Sequence, residues 1–532
     1  VTQVRPIDLF IIILYFVGVA AAGVYFARRN KSTESYFLGN RSFSGWVIGI
    51  SMLGTSISSI SFVGYPGDAY KTAWLRMVPN FTYPIGMFVA AYVFLPFFRR
   101  GKITSAFEYL EKRYGASTRV YGACAFIVLQ LIRISLILYL VSLLIHEFTH
   151  WPTTVCVIVA GCVVSFYTVA GGFEAVVWTD VVQTIILIGG GILALLVIVL
   201  KLPDGIGQII AEGAAAGKFG FSEFNRETGQ LVATSWDFTF LRKTATMMLI
   251  IGLFDWLAES SSDQNTIQRY CASKTPADAR RAIWICCWSS LPVWAYFMFL
   301  GTALWVFFKV MPDPGAARIL HGVDGARAEQ ILPYFILNYM PAGLAGLIVA
   351  AVLAAAMSSL DSSINAISTV SIVDLYRRHL VKGRSDRHYL VAARCVGVAA
   401  SVVMIGGALL LMANEKMTTL RDTMTVLTAL AAGGLLGIYM LGFFTKIGDA
   451  RAIAVGIVCT LAFTLYRALS EFGYLPDALR IQGLDAIDPY YTGIVGNVLM
   501  FTVGLTLGAL IPARHRDLTN LTVWTQDGTP LE

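Results

Sequence analysis

Apolar runs of bilayer-spanning length recur along the whole chain, and nothing else in the sequence constrains its fold as strongly. They fall at about 8–27, 46–69, 77–98, 120–145, 152–170, 176–200, 244–262, 282–308, 342–372, 391–412, 422–445, 451–469 and 490–512. Each is near the roughly 20 residues that a helix needs to cross about 30 Å of hydrocarbon. A soluble chain of 532 residues would split into domains and carry about a quarter charged residues. Here only 14% are charged, 56% are hydrophobic and the mean hydropathy is +0.67. The sequence therefore predicts an all-α polytopic membrane protein with about thirteen transmembrane helices. The first apolar run is followed by no small-residue cleavage site and reads as a retained helix.

The net charge of +7 gives no reason to expect nucleic acid, because the basic residues gather in short loops. Arg28, Arg29, Lys31 and Arg41 follow the first run, and Arg99, Arg100, Lys102, Lys112, Arg113 and Arg119 follow the third. Arg377, Arg378, Lys382, Arg384 and Arg387 form another group, with Arg514 and Arg516 in the tail. With thirteen spans all four groups share one side, which places the N-terminus outside and the C-terminus in the cytoplasm of a multi-pass plasma or inner-membrane protein. The eight cysteines have no metal-ligand spacing and read as reduced packing residues. No phosphate loop, zinc spacing or other enzyme constellation is present, so neither an enzyme nor an organic cofactor is expected.

Two helices look interrupted. The second contains Thr55, Ser56, Ser58, Ser59 and Ser61, then Gly64, Pro66 and Gly67; the seventh contains Gly252–Asp255 and then Glu259–Asp263. Broken helices five apart fit two inverted repeats, 46–200 and 244–445, after one leading helix at 8–27 and before two closing helices at 451–512. Arg133 lies mid-span, where a guanidinium needs an anionic partner or a water-filled cavity. It can grip a substrate carboxylate through two parallel hydrogen bonds, or pair internally with Asp255, Glu259 or Asp180. On the ninth helix Ser358, Asp361 and Ser362 share one face, and hydroxyls with a carboxylate suit a hard cation such as sodium or a proton. Asp180 reads equally well as a first-turn aspartate.

These residues resemble the sodium:solute symporters, which include the sodium–glucose cotransporters. The resemblance rests on Phe94–Glu111, Val177–Gln183, Asp263–Arg269 and the serine-rich ninth helix. It implies a leucine-transporter-like 5+5 inverted repeat in a single domain, acting as a monomer on a small acidic substrate. It also implies a general sodium site at Gly54, Ile57, Ala355, Ser358 and Ser359. A second sodium site would use Asp180, Ser358, Asp361 and Ser362, giving one or two coupled ions. The chain looks most like bacterial sodium–sialic acid symporters, in which the residue matching Arg133 holds the sugar's carboxylate. Ser58, Ser59, Ser61 and Asn80 match further substrate contacts, with Ser56 beside them. Ser61, Asn80, Trp288 and Thr425 depart from galactose-type members, and Asp361 stands where the sialic acid group has a serine. The expected function is sodium-driven import of a carboxylated sugar. The alternatives are a monocarboxylate or neutral-sugar symporter and, from another class, a membrane sensor.

Overall fold

The computed structural model describes residues 5–29, 31–57, 59–100, 103–224, 230–321, 328–413, 434–471, 473–511 and 517–526. The main helices are α1 (Pro6–Ala27), α2 (Gly45–Ser56), α3 (Ser59–Lys71), α4 (Trp74–Arg99), α5 (Ala116–Thr149), α6 (Thr153–Lys201) and α7 (Ala245–Ser262). They continue as α8 (Gln264–Ala272), α9 (Pro276–Val310), α10 (Leu344–Leu380), α11 (Asp386–Ala413), α12 (Leu435–Phe444), α13 (Ala450–Glu471) and α14 (Pro489–Leu510). The described strands are one short antiparallel pair, Ser222–Phe224 with Leu231–Ala233.

Among the described residues nine helices are long and apolar enough to cross a bilayer, and the bent pair α2–α3 makes a tenth. Helix α6 covers two of the expected segments. Its 49 residues would run about 74 Å if straight, more than twice the hydrocarbon thickness. Gly172 interrupts it at φ 60°, ψ −162°, a conformation open to glycine. A Cβ there would also meet the Tyr36 ring at 2.6 Å. The first half of the expected segment at 422–445 lies outside the described residues, and its second half holds α12.

Burial sorts the helices. In α10, 89% of the apolar window is buried, against 17% in α1 and in α14. Small residues make this central position possible: Gly190 of α6 lies so close to Ala351 of α10 that an added Cβ would meet it at 2.6 Å. The outward faces carry large exposed apolar side chains, such as Phe10 and Leu14 on α1, Ile185 and Leu196 on α6, and Val402 and Leu410 on α11. Such faces suit lipid rather than water.

Some loop cations are built into the fold. Arg99 donates to the carbonyls of Tyr270, Cys271 and Ser273 at the end of α8. Arg113 donates to those of Gly442 in the last turn of α12 and of Thr445, Ile447 and Gly448 after it. Both satisfy carbonyls that a helix end leaves open. Lys218 does the same for α3, reaching the carbonyls of Tyr70 (2.7 Å) and Thr72 (2.8 Å), with the Trp305 ring 4.9 Å away. Burial pushes its pKa down to about 7, so the folded protein releases this proton at lower pH than the unfolded chain does. Stability contributed by Lys218 therefore rises with pH above about 7. Lys218→Met should lower the melting temperature, leaving carbonyls unpaired at a cost of about 1–3 kcal/mol, and by more at pH 9 than at pH 7. Melting curves at the two pH values check this.

Candidate functional site

Two helix breaks face a single unbroken helix. Helix α2 ends at Ile57, whose φ −101° and ψ 87° leave the helical region, and the chain bends by 51° into the next helix. Ser58 lies outside the described residues, and of Ser59 only its place at the start of α3 is described. The second break falls at Asp263, with φ −85° and ψ 117°; its carboxylate accepts the Asn265 N–H at 2.7 Å and caps α8. This corrects the sequence expectation, which put the seventh helix's interruption as early as Gly252–Asp255. Gly252 sits inside a continuous α7, where an added Cβ would come within 2.3 Å of the Pro79 carbonyl oxygen. A single glycine costs a helix only about 1 kcal/mol, and here it admits a neighbouring backbone.

The end of α2 is pressed against α6 and α10. A Cβ on Gly54 would meet Thr184 Oγ1 at 2.3 Å and Ser358 Oγ at 3.4 Å. Ala355, Ser358 and Ser359 are each 1% exposed, so the expected general sodium residues of α10 are buried beside the α2 break. Ser359 Oγ has no hydrogen-bond partner among the described residues. A buried hydroxyl oxygen left unpaired is costly, and a cation ligated there would satisfy it. Gln130 of α5 ties the parts together, donating to Asp263 Oδ2 (3.2 Å) and accepting from Ser363 Oγ (3.0 Å).

The hub of the site is Arg269 of α8, 1% exposed. Its Nη2 donates to Asp180 Oδ2 (2.7 Å), Thr55 Oγ1 (2.8 Å) and Ser362 Oγ (2.8 Å), and its Nε to Ser51 Oγ (2.9 Å). Asp180 also accepts from Ser51 (2.6 Å) and Ser358. The reading of Asp180 as a first-turn aspartate is corrected: it lies in α6 about two turns beyond the Gly172 break, fully buried and ion-paired. Arg269 sits in the quoted Asp263–Arg269 stretch, but a basic residue just past a helix break carries no local sign of a partner 89 residues away.

The four residues expected at a second sodium site meet only in part. Asp180, Ser358 and Ser362 converge, with a guanidinium nitrogen among them. Asp361 turns aside, with Oδ2 accepting from Tyr167 Oη at 2.8 Å; Oδ1 has a long contact of 3.4 Å from Ser362 Oγ.

Arg133 is half-buried on α5, three residues beyond Gln130, and forms no hydrogen bond or ion pair with a described residue. None of the three internal partners considered from the sequence engages it. Asp180 is held by Arg269, and neither Asp255 nor Glu259 forms an ion pair with it, although Glu259 lies within its electrostatic reach. Ser56 is half-buried at the end of α2, and Ser61 is 8% exposed. Asn80 is 3% exposed and donates to Tyr65 Oη at 2.9 Å. Arg76 stacks over the same Tyr65 ring and pairs with Asp68, tying α4 to α3.

A family model for the sodium:solute symporter family matches residues 36–458. The chain belongs to that family. It is 30% identical over 505 residues to the sodium/sialic acid symporter SiaT of Proteus mirabilis (strain HI4320), covering 95% of each chain. It is 28% identical to the sodium/sialic acid symporter NanT of Aliivibrio fischeri (strain ATCC 700601 / ES114), covering 92% of this chain and 90% of that one. Among solved structures it is similar to a Na+-coupled sialic acid symporter in a substrate-bound outward-open state. That match has a TM-score of 0.84 at 27% identity and covers 97% of this chain and 100% of the other. The fold of this symporter is thus the leucine-transporter-like one expected, and the proteins it resembles are transporters rather than enzymes.

Removing one partner of a buried ion pair costs about 3–5 kcal/mol. Arg269→Ala should therefore lower the melting temperature of the purified symporter sharply. Arg269→Lys should restore only part of the loss, because one ammonium cannot span Ser51, Thr55, Asp180 and Ser362 together. A melting temperature unchanged in Arg269→Ala would contradict the hub.

Proposed function

We propose that this symporter uses sodium to import a carboxylated sugar, sialic acid, with Arg133 on the carboxylate. The observation that carries the reading is an arginine within a membrane helix with no hydrogen-bond or ion-pair partner among the described residues, while Asp180 is already neutralised by Arg269. A guanidinium so placed is available to an anionic ligand, and its fork matches a carboxylate. Ser56 and Ser61 stand near the same break and suit hydroxyl recognition, as do Ser58, Ser59 and Asn80 by the family resemblance. The sialic acid relatives support the choice of sugar.

Sodium is assigned to Gly54, Ile57, Ala355, Ser358 and Ser359. The unpaired Ser359 hydroxyl supports this, and so does the α2 break, which frees carbonyls for a hard ion. Sodium bound between α2 and α10 stabilises the arrangement that receives substrate, and rocking of one repeat on the other then exposes both to the cytoplasm. In this reading the repeats are 46–200 and 244–445, the C-terminus is cytoplasmic, and the monomer is the working unit.

Truncating a group that pairs with a buried charge costs about 2–5 kcal/mol, which is roughly 30-fold or more in affinity. Arg133→Ala should weaken sialic acid binding by at least that factor, and Arg133→Lys by nearly as much, since lysine keeps the charge without the fork. Uptake of radiolabelled sialic acid into proteoliposomes tests this, with lactate and galactose as competitors. Normal affinity in Arg133→Ala would sink the assignment, and lactate competing as well as sialic acid would favour a monocarboxylate substrate. Ser359→Ala should weaken sodium dependence and sialic acid affinity together, and in each protein sodium should raise sialic acid affinity by the same factor as sialic acid raises sodium affinity, because coupling is reciprocal. Isothermal titration of each ligand in the presence of the other measures both.

A further inference from the structure

A groove of about 630 Å³ opens on the bilayer-facing surface between α1, the first half of α6 and α11. Close glycine contacts set its shape. An added Cβ on Gly23 of α1 would meet Tyr167 of α6 at 2.5 Å, and one on Gly161 of α6 would meet Ile405 of α11 at 2.5 Å. A Cβ on Gly397 of α11 would meet Val169 of α6 at 3.0 Å. Helix α6 is thus pinned to both neighbours and forms the floor of the groove. Phe166, Val398 and Val402 line it and are exposed apolar side chains. The hydroxyls of Ser165 and Ser401 also line it, but they donate to carbonyls one turn earlier on their own helices, at 2.6 and 2.8 Å. The walls therefore offer an apolar surface that suits a hydrocarbon chain.

One end of the groove is charged. Arg28, just past α1, and Arg394, about two turns into α11, both line it, and no carboxylate is among the described residues that do. Arg29 reaches Glu174 at 3.8 Å, whereas neither Arg28 nor Arg394 forms an ion pair or side-chain hydrogen bond with a described residue. Arg394 Nε is shut off from water without a hydrogen-bond partner, a costly state for a cationic donor. From Arg394 to Ile405, at the other end of the groove, α11 rises about 16 Å. One leaflet of the bilayer holds roughly 15 Å of hydrocarbon. The groove thus runs the depth of a single leaflet, with two guanidiniums at the level of a headgroup. A guanidinium fork matches phosphate oxygens as it matches a carboxylate.

We propose that this groove binds one anionic phospholipid from the leaflet beside the basic loops. An acyl chain lies along Phe166 and Val402, and the phosphate sits between Arg28 and Arg394. Basic pockets between membrane helices hold such headgroups in this way. The lipid joins α11 to the leading helix α1, whose apolar window is only 17% buried. The site goes beyond the transport reading and stands whichever substrate is carried. Only the name of the leaflet, cytoplasmic, rests on the orientation proposed above.

The test titrates dioleoylphosphatidylglycerol, dioleoylphosphatidylcholine and glycerol 3-phosphate into delipidated, detergent-purified symporter. Native mass spectrometry reads bound lipid, and melting temperature reads stabilisation. The two lipids share their chains and differ in headgroup charge, while glycerol 3-phosphate has the phosphate without a chain. Each uncompensated arginine near the membrane surface is worth about fivefold in affinity for an anionic lipid. Wild-type protein should therefore bind phosphatidylglycerol roughly 25-fold more tightly than phosphatidylcholine. That preference should fall to about fivefold in Arg28→Gln and vanish in Arg28→Gln/Arg394→Gln. Val402→Trp fills the groove, keeps both arginines, and should weaken phosphatidylglycerol binding several-fold. Equal binding of the two lipids by wild type overturns the site, and so does a preference unchanged in Arg28→Gln. Arg28 is exposed beyond the end of α1, so that arm decides even if Arg394→Gln fails to fold. A melting shift from glycerol 3-phosphate as large as that from phosphatidylglycerol also overturns it, marking a site for free phosphate. No arm uses sodium or sialic acid, so failure of the lipid site and failure of the symport reading are told apart.

Discussion

The Arg269–Asp180 ion pair is the contact on which the rest of the site depends. One guanidinium, 1% exposed, joins α8 to α2 through Ser51 and Thr55, to α6 through Asp180, and to α10 through Ser362. Those elements include both broken regions and the unbroken helix between them. Burying the pair has value only if nearly all its donors and acceptors are satisfied, and four side chains besides the aspartate share that work. The pair also fixes the charge balance. With Asp180 neutralised from α8, neither Arg133 nor Asp361 has an ion-pair partner among the described residues.

Much of the fold was legible in the sequence because hydrophobic length is a local property. Runs of about 20 apolar residues predict spans without knowledge of their neighbours, and the serines around Ile57 marked a true break. The seventh helix was harder. Gly252 and Asp263 both looked like interruptions, but only Asp263 has a side chain that caps the following helix. The Gly252 position answers to Pro79 on another helix, which no local pattern reveals.

The site was legible as a set of residues and less so as an arrangement. Ser358, Ser359 and Arg133 could be picked out because hydroxyl clusters and lone arginines are out of place in hydrocarbon. Their partners could not, since Arg269–Asp180 and Tyr167–Asp361 join residues 89 and 194 positions apart. Asp361 shows the difference most clearly. Sequence spacing put it on one helical face with Ser358 and Ser362, yet its carboxylate turns toward Tyr167, where the lone pairs meet an O–H rather than a second carboxylate.

The central claim is that sodium creates the site in which Arg133 receives a carboxylate. Titrating sialic acid into purified symporter by calorimetry, in sodium and in potassium at equal ionic strength, tests it most directly. The account predicts measurable binding in sodium, at least tenfold weaker binding in potassium, and binding in sodium weakened by roughly 30-fold or more once Arg133 is alanine. Equal affinity in the two salts, or normal affinity after the loss of Arg133, would contradict it.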